Sequence, residues 1–230
     1  MNQTNSITDY ISFSIYTLQG VVLIIQSSLT FLPILRYRVM RLRKSYLAMA
    51  TLAIGDFLNG LGFVFCGPYR LNILYTGRKG ELKSAWQCLL TLHNIIWVFG
   101  EPASGLALLC LTWDRLLSVT CPIYYFTLSA NKYSIYPIIF LSCAVFTGLL
   151  AFVVAFFESE KPSYGALCFT NWAMGENYYY KQFYKLIITF SLFGSVLFYL
   201  AVPVIYAKKK AKILPEDQRN DKAQASCGFV

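Results

Sequence analysis

The chain has 230 residues, of which 57% are hydrophobic, 17% aromatic and only 13% charged, and it carries a formal net charge of +9. An ordinary globular domain is about 25% charged, so this chain has too little polar surface to cover a water-soluble globule. A soluble enzyme domain, a disordered chain and a secreted disulfide scaffold are all excluded on that ground.

The mean hydropathy of +0.50 comes from apolar blocks of about 20 to 26 residues separated by charged segments, the signature of membrane spans. The first block, Ile11 to Leu35, contains no charged residue. No Lys or Arg precedes it and no small-residue cleavage site follows it, so it reads as a span and not as a signal peptide. The second, Tyr46 to Tyr69, carries a single acid, Asp56. The third, Cys88 to Trp113, carries a single acid, Glu101, together with the only histidine of the chain, His93. The fourth, Ser134 to Phe157, and the fifth, Leu186 to Tyr206, are uncharged, and the fifth stops before Lys208, Lys209 and Lys210. Each is long enough to cross a hydrocarbon core of about 30 Å as a helix. Lipid offers the backbone no hydrogen-bond partner, so helices are required; barrel strands would be shorter and would alternate. The expected fold is an all-α membrane protein: an N-terminal segment over residues 1–10, a five-helix transmembrane domain over 11–206 and a polar tail over 207–230.

Of the 20 Lys and Arg, 13 fall after the first, third and fifth spans and 7 on the opposite side. The positive-inside rule then places the N-terminus outside and the C-terminus in the cytosol. The sequon Asn2-Gln3-Thr4 would lie outside, which makes Asn2 a candidate glycosylation site. The basic runs Arg36 to Lys44 and Lys208 to Lys212 abut span ends, where they would meet anionic headgroups. The positive charge therefore reads as membrane anchoring, with the lipid bilayer and not nucleic acid as its partner.

An ionisable group inside a span is costly and is a functional candidate by default. In the third span Trp97, Glu101, Ser104 and Arg115 fall within about 60° of one another on one helical face. Glu101 lies about halfway along and precedes Pro102, whose ring removes a backbone donor and favours a kink. Its carboxyl must be either neutral and hydrogen-bonded to a neighbouring helix, or in contact with a ligand or ion. His93, on the same side nearer the outer end, reads either as a packed histidine or as a ligand contact. Asp56 is flanked by Gly55, Asn59, Gly60 and Gly62, small or polar residues that permit close helix approach. There is no His/Cys cluster at metal-ligand spacing, no nucleotide-binding loop and no nucleophile beside a base, so the chain does not read as an enzyme. Of the seven cysteines, Cys110 and Cys143 fall within spans, and Cys121 and Cys227 fall on the reducing side. Cys88 and Cys168 face the oxidising side and are the natural disulfide pair, with Cys66 as the competitor.

Five features occur in order: Leu52-Ala53-Ile54-Gly55-Asp56; Trp86 just before Cys88; Asp114-Arg115-Leu116; Pro122-Ile123-Tyr124-Tyr125; and Cys168 in the fourth-to-fifth connection. Together they resemble the rhodopsin-like family of seven-transmembrane G-protein-coupled receptors. The string Trp113-Asp114-Arg115-Leu116-Leu117-Ser118-Val119 is most similar to nematode serpentine chemoreceptors. The resemblance implies that Asp114, Arg115, Pro122 and Tyr125 face a heterotrimeric G protein, with Asp114 and Arg115 as an ionic lock. It implies a sodium-site pair of Asp56 and Ser104, a loop disulfide between Cys88 and Cys168, and an outward-opening pocket for a small molecule lined by Trp97, Glu101 and His93. A receptor dimer and a location in the plasma membrane or a sensory cilium belong to the same expectation.

The sequence also departs from that family. Ser27 and Ser28 stand near where a Gly-Asn pair is expected, the fourth span has no tryptophan, and Pro203 sits close to the end of the fifth. After Tyr206 there remain 24 residues ending Cys227-Gly-Phe-Val230, without a sixth or seventh span. The expectation is a truncated or splice form of a chemosensory receptor. Its rivals are a non-signalling interaction protein that pairs with full-length receptors and a small transporter or channel subunit built on Asp56 and Glu101.

Overall fold

Five helices are long and apolar enough to cross a membrane: Ile7–Arg36, Lys44–Tyr75, Leu92–Thr120, Ile135–Phe157 and Lys181–Lys208. They belong to a computed structural model that describes residues 3–41, 43–157, 164–169 and 178–227. Asn2, the candidate glycosylation site, lies outside the described residues.

Helix α1 (Gln3–Arg36) is followed by the short α2 (Arg38–Arg41) and by α3 (Lys44–Tyr75). A 3-10 turn (Arg78–Gly80) then leads into β1 (Leu82–Lys83), with Gly77 at φ 68°, a left-handed conformation natural to glycine. After α4 (Ala85–Leu89) comes α5 (Leu92–Thr120), then two short helices, α6 (Pro122–Thr127) and α7 (Ala130–Tyr133), and α8 (Ile135–Phe157). The β2 strand (Tyr164–Gly165) pairs antiparallel with β1, Leu82 opposite Gly165 and Lys83 opposite Tyr164. The last helix, α9, runs Tyr178–Cys227, so the helix continues past Tyr206 where the sequence suggested a tail.

The third span does not begin at Cys88. Ser84 and Gln87 form a reciprocal capping box that starts α4 as a separate turn. The chain then breaks at Leu90 and Thr91, and α5 starts at Leu92. At the break the carbonyl of Cys88 accepts from the Thr91 backbone N–H (3.2 Å), the Thr91 hydroxyl (2.6 Å) and the Asn94 side-chain amide (2.8 Å).

Helix α5 is the axis of the bundle. In its most apolar window 61% is buried, against 17% in the window of α1 and 11% in that of α9. It packs against α3, α8 and α9, while α1 packs on α3 from outside. The outward faces are apolar, with Leu29, Leu186 and Phe193 each about two-thirds exposed. Small residues dominate the inward face of α3, including Ala48, Ala53, Gly55, Gly60, Gly62 and Gly67. Large apolar side chains outside and small ones inside is the arrangement lipid imposes, because hydrophobic burial gives helices in a bilayer no reason to associate and close van der Waals packing must do so.

Two glycines set the α3–α5 distance. A Cβ at Gly62 would lie 2.4 Å from Cδ1 of Trp97, and one at Gly55 would lie 2.6 Å from the Ser104 backbone nitrogen. A side chain at Gly55 would have to push the α5 backbone away, and one at Gly62 would have to displace the Trp97 ring.

Candidate functional site

Helix α5 carries polar groups at both ends and in the middle. Beside one end, in α4, Cys88 forms a disulfide with Cys168, with Cα atoms 5.0 Å apart. Cys66, the competing partner, is a free, buried thiol. The pair is tied to the bundle by Asn94, whose Nδ2 donates to the carbonyls of Cys88 (2.8 Å) and Cys168 (3.0 Å). Cys168 takes φ 44°, a left-handed conformation unusual for a residue with a side chain.

Next to the disulfide an aromatic ladder crosses from α1 to α5. Phe13 meets Tyr16 (6.1 Å between centroids), Tyr16 meets Phe63 (5.9 Å), Phe63 meets Trp97 (5.0 Å), Trp97 meets His93 (5.8 Å) and His93 meets Tyr69 (4.8 Å). Trp97 and His93 are thus brought together as the sequence suggested, both buried. Glu101, one turn further along, faces a different neighbour. The Tyr184 hydroxyl of α9 donates to its Oε2 at 2.9 Å, a hydrogen bond to an adjacent helix.

At mid-bundle the Ser104 hydroxyl donates to Asp56 Oδ1 at 2.9 Å and accepts from Asn59 Nδ2 at 2.9 Å. Asn59 Oδ1 is buried without a hydrogen-bond partner. Beside Asp56 a cavity of about 180 Å³ opens between α1 and α3, its polar wall supplied by Gln26, Ser27, Thr30 and Asp56. All of these are hard oxygen donors, the type that suits an alkali or alkaline-earth cation. Among the described residues no three His, Cys, Asp or Glu side chains are grouped to hold a metal ion.

The other end of α5 presents Asp114 and Arg115, and their side chains part company. Asp114 is buried at 1% exposure and accepts from the Tyr125 hydroxyl (2.9 Å), the Ser45 hydroxyl (3.2 Å) and the hydroxyl of Tyr133. Arg115 is exposed. No Asp114–Arg115 salt bridge exists among the described residues, where the ion pair is Lys79–Asp9 at 2.6 Å. The physical reason is supply: hydroxyls from α3, α6 and α7 converge on the carboxylate and occupy its lone pairs. Pro122 opens α6 at its first turn, and Lys44 caps the far side, donating to the Tyr125 carbonyl and lying 4.6 Å over its ring.

Reading the sequence missed several of these residues. Arg70, just beyond the second apolar block, reads in the sequence as one of the basic residues between spans, yet it is buried at 2% exposure. Asn94, Tyr184, Ser45 and Tyr133 were passed over, and Asn59 was read only as a small polar neighbour. An amide inside an apolar span, as at Asn94, is a legible signal; the partners of the two acids are not, because they come from other helices.

Fold and site together define an all-α multi-pass membrane protein with polar sites strung along a central helix. The chain belongs to the serpentine type 7TM GPCR chemoreceptor family Srsx, whose family model matches residues 21–225. The match runs from within α1 into α9. No curated protein matches the chain.

The Asp114 cluster has a titratable signature. Burial raises the pKa of Tyr125 and Tyr133 above the ordinary value of 10.0, and Asp114 raises both further, while the Ser45 hydrogen bond lowers that of Tyr125. As pH climbs past 10 the unfolded chain releases these protons before the native one does. The native state then binds more protons, and its stability falls with rising pH in that range. Alkaline titration by tyrosinate absorbance, with the Tyr125→Phe/Tyr133→Phe double variant subtracted, is expected to show two late-ionising tyrosines. In Asp114→Asn they should move to lower pH. Superimposable curves for wild type and Asp114→Asn would show that the carboxylate does not hold them.

Proposed function

We propose that the chain works as a chemosensory G-protein-coupled receptor polypeptide in the plasma membrane. In this reading a small ligand is taken at the disulfide end of α5, and a heterotrimeric G protein is engaged at the Asp114–Arg115 end. The carrying observation, beside the family match, is that α5 joins the aromatic ladder to an exposed arginine through one continuous helix. Asp114, locked by three hydroxyls, holds that helix end against α3, α6 and α7, and leaves Arg115 free for a partner. With the full chain in nanodiscs, ligand-dependent nucleotide exchange on a G protein is expected to drop about tenfold or more in Arg115→Ala, the scale of one charge-assisted hydrogen bond. Unchanged exchange would remove the role given to Arg115.

The same proposal puts the disulfide end outside the cell, in keeping with 13 basic residues on the opposite side against 7. Cys121, exposed at the Arg115 end, reports on this. In a Cys227→Ser background an impermeant maleimide should label it only after permeabilisation, with the signal lost when Cys121→Ser is added. Labelling of intact cells would invert the topology.

Asp56, held by Ser104, would hold a sodium ion, with Gln26, Ser27 and Thr30 supplying further oxygens from the cavity beside it. The ion would supply the positive charge that a half-buried carboxylate lacks. Replacing N-methylglucamine chloride by sodium chloride is expected to raise the thermal midpoint by about 2–4 °C, the size of a 1 kcal/mol effect in a chain of this length. Asp56→Asn and Ser104→Ala should abolish the rise; a rise that survives both would place any ion elsewhere.

One observation favours a second reading, a non-signalling partner of other receptors: α1 and α9 leave most of their faces open to a neighbouring helix. A wild-type chain that stimulates no exchange but co-purifies with a full-length receptor would select it.

A further inference from the structure

Arg70 stands near the disulfide end of α3, and its environment is unusual for a cation. It is 2% exposed, its Nε donates to the Leu167 carbonyl at 3.1 Å, and its guanidinium lies over the rings of Phe169 (4.3 Å), Phe13 (5.5 Å) and Trp97 (5.7 Å). Cation–π contacts stabilise the charge through the flat faces of the group. They leave its in-plane N–H donors unused, and of the five only Nε–H has a hydrogen bond among the described residues. No carboxylate among the described residues forms a salt bridge with it. Alongside, His93 is 1% exposed and its Nε2 is buried without a hydrogen-bond partner.

A role limited to fastening Leu167 would use one donor, and a neutral glutamine or a lysine could fill it. A buried guanidinium whose planar fork is unspent has instead the chemistry that recognises a planar anion through two parallel hydrogen bonds. We propose that Arg70 anchors the ligand of this receptor, and that the ligand is a small organic monocarboxylate. Its carboxylate sits on the Nη groups of Arg70 within reach of His93, and its apolar body lies against Trp97 and Phe13. One carboxylate matches the one planar guanidinium fork; the neighbouring Lys83, whose ammonium donates to the Tyr69 hydroxyl at 2.9 Å, offers no such fork. This inference rests on the receptor reading for the word ligand, but the binding it describes requires no G protein.

The test uses the full chain in nanodiscs with phenylacetate, indole-3-acetate and octanoate as probes, each set against its primary amide. Binding is followed by saturation-transfer NMR and thermal midpoint. At least one carboxylate is expected to bind tenfold or more tightly than its amide, and Arg70→Gln should erase that preference while the amide is unaffected. Should Arg70→Gln fail to form the Cys88–Cys168 disulfide, Arg70→Lys keeps the cation but loses the fork, and should weaken the carboxylate about tenfold with the amide unchanged. Equal binding of acid and amide, absence of carboxylate binding by oxidised wild-type chain at millimolar concentration, or a preference that survives at Arg70→Gln or Arg70→Lys would each overturn the proposal. Carboxylate binding without nucleotide exchange would sink the receptor reading and leave this one standing. Exchange driven by uncharged ligands alone would do the reverse.

Discussion

The closeness of α3 to α5 is the constraint on which the other sites depend. In a bilayer the apolar surface of a helix gains nothing by leaving lipid, so two helices stay together only if their backbones approach closely enough for dense packing and direct hydrogen bonds. Gly55 and Gly62 make that possible by giving up their side chains where Ser104 and Trp97 press against α3. The approach brings the Ser104 hydroxyl within 2.9 Å of both Asp56 and Asn59, and Trp97 within 5.0 Å of Phe63. Widening the gap by one methyl group would loosen the polar network and the aromatic ladder together, since both use the same pair of helices.

The five apolar blocks could be read directly because lipid forces each to be a helix whatever its neighbours do. The central role of the third span was also legible, as the only one with a polar stripe from end to end. The break before Leu92 was less so. It comes from a capping box at Ser84 and Gln87 and from side chains drawn to the Cys88 carbonyl, a local competition that an apolar count averages away. Partners could not be read at all. Nothing in the neighbourhood of Glu101 names Tyr184, 83 positions later, and nothing near Asp114 names Ser45, 69 positions earlier. Arg70 is hidden for a related reason: a charge at a span end normally reaches water, whereas here the rings of Phe13 and Trp97 and that of Phe169, brought back by the Cys168 segment, lie over it.

The buried ionisable groups share one solution. Asp114 is met by hydroxyls, Glu101 by a tyrosine, Asp56 by a serine and Arg70 by rings and a carbonyl. Neutral partners reduce the cost of burial without cancelling the charge. An internal ion pair would be self-contained and indifferent to anything arriving from outside, because a newcomer would have to compete with an existing opposite charge. Groups held by dipoles leave room for an external counter-charge, which is what the proposed cation at Asp56 and the proposed anion at Arg70 would supply. The two lie on α3, separated by 14 positions or about 21 Å of helix, and both lean on α5, through Ser104 and Trp97. An ion bound at either place would therefore act on the same interface, which reaches as far as Asp114 through the bond from Ser45 of α3.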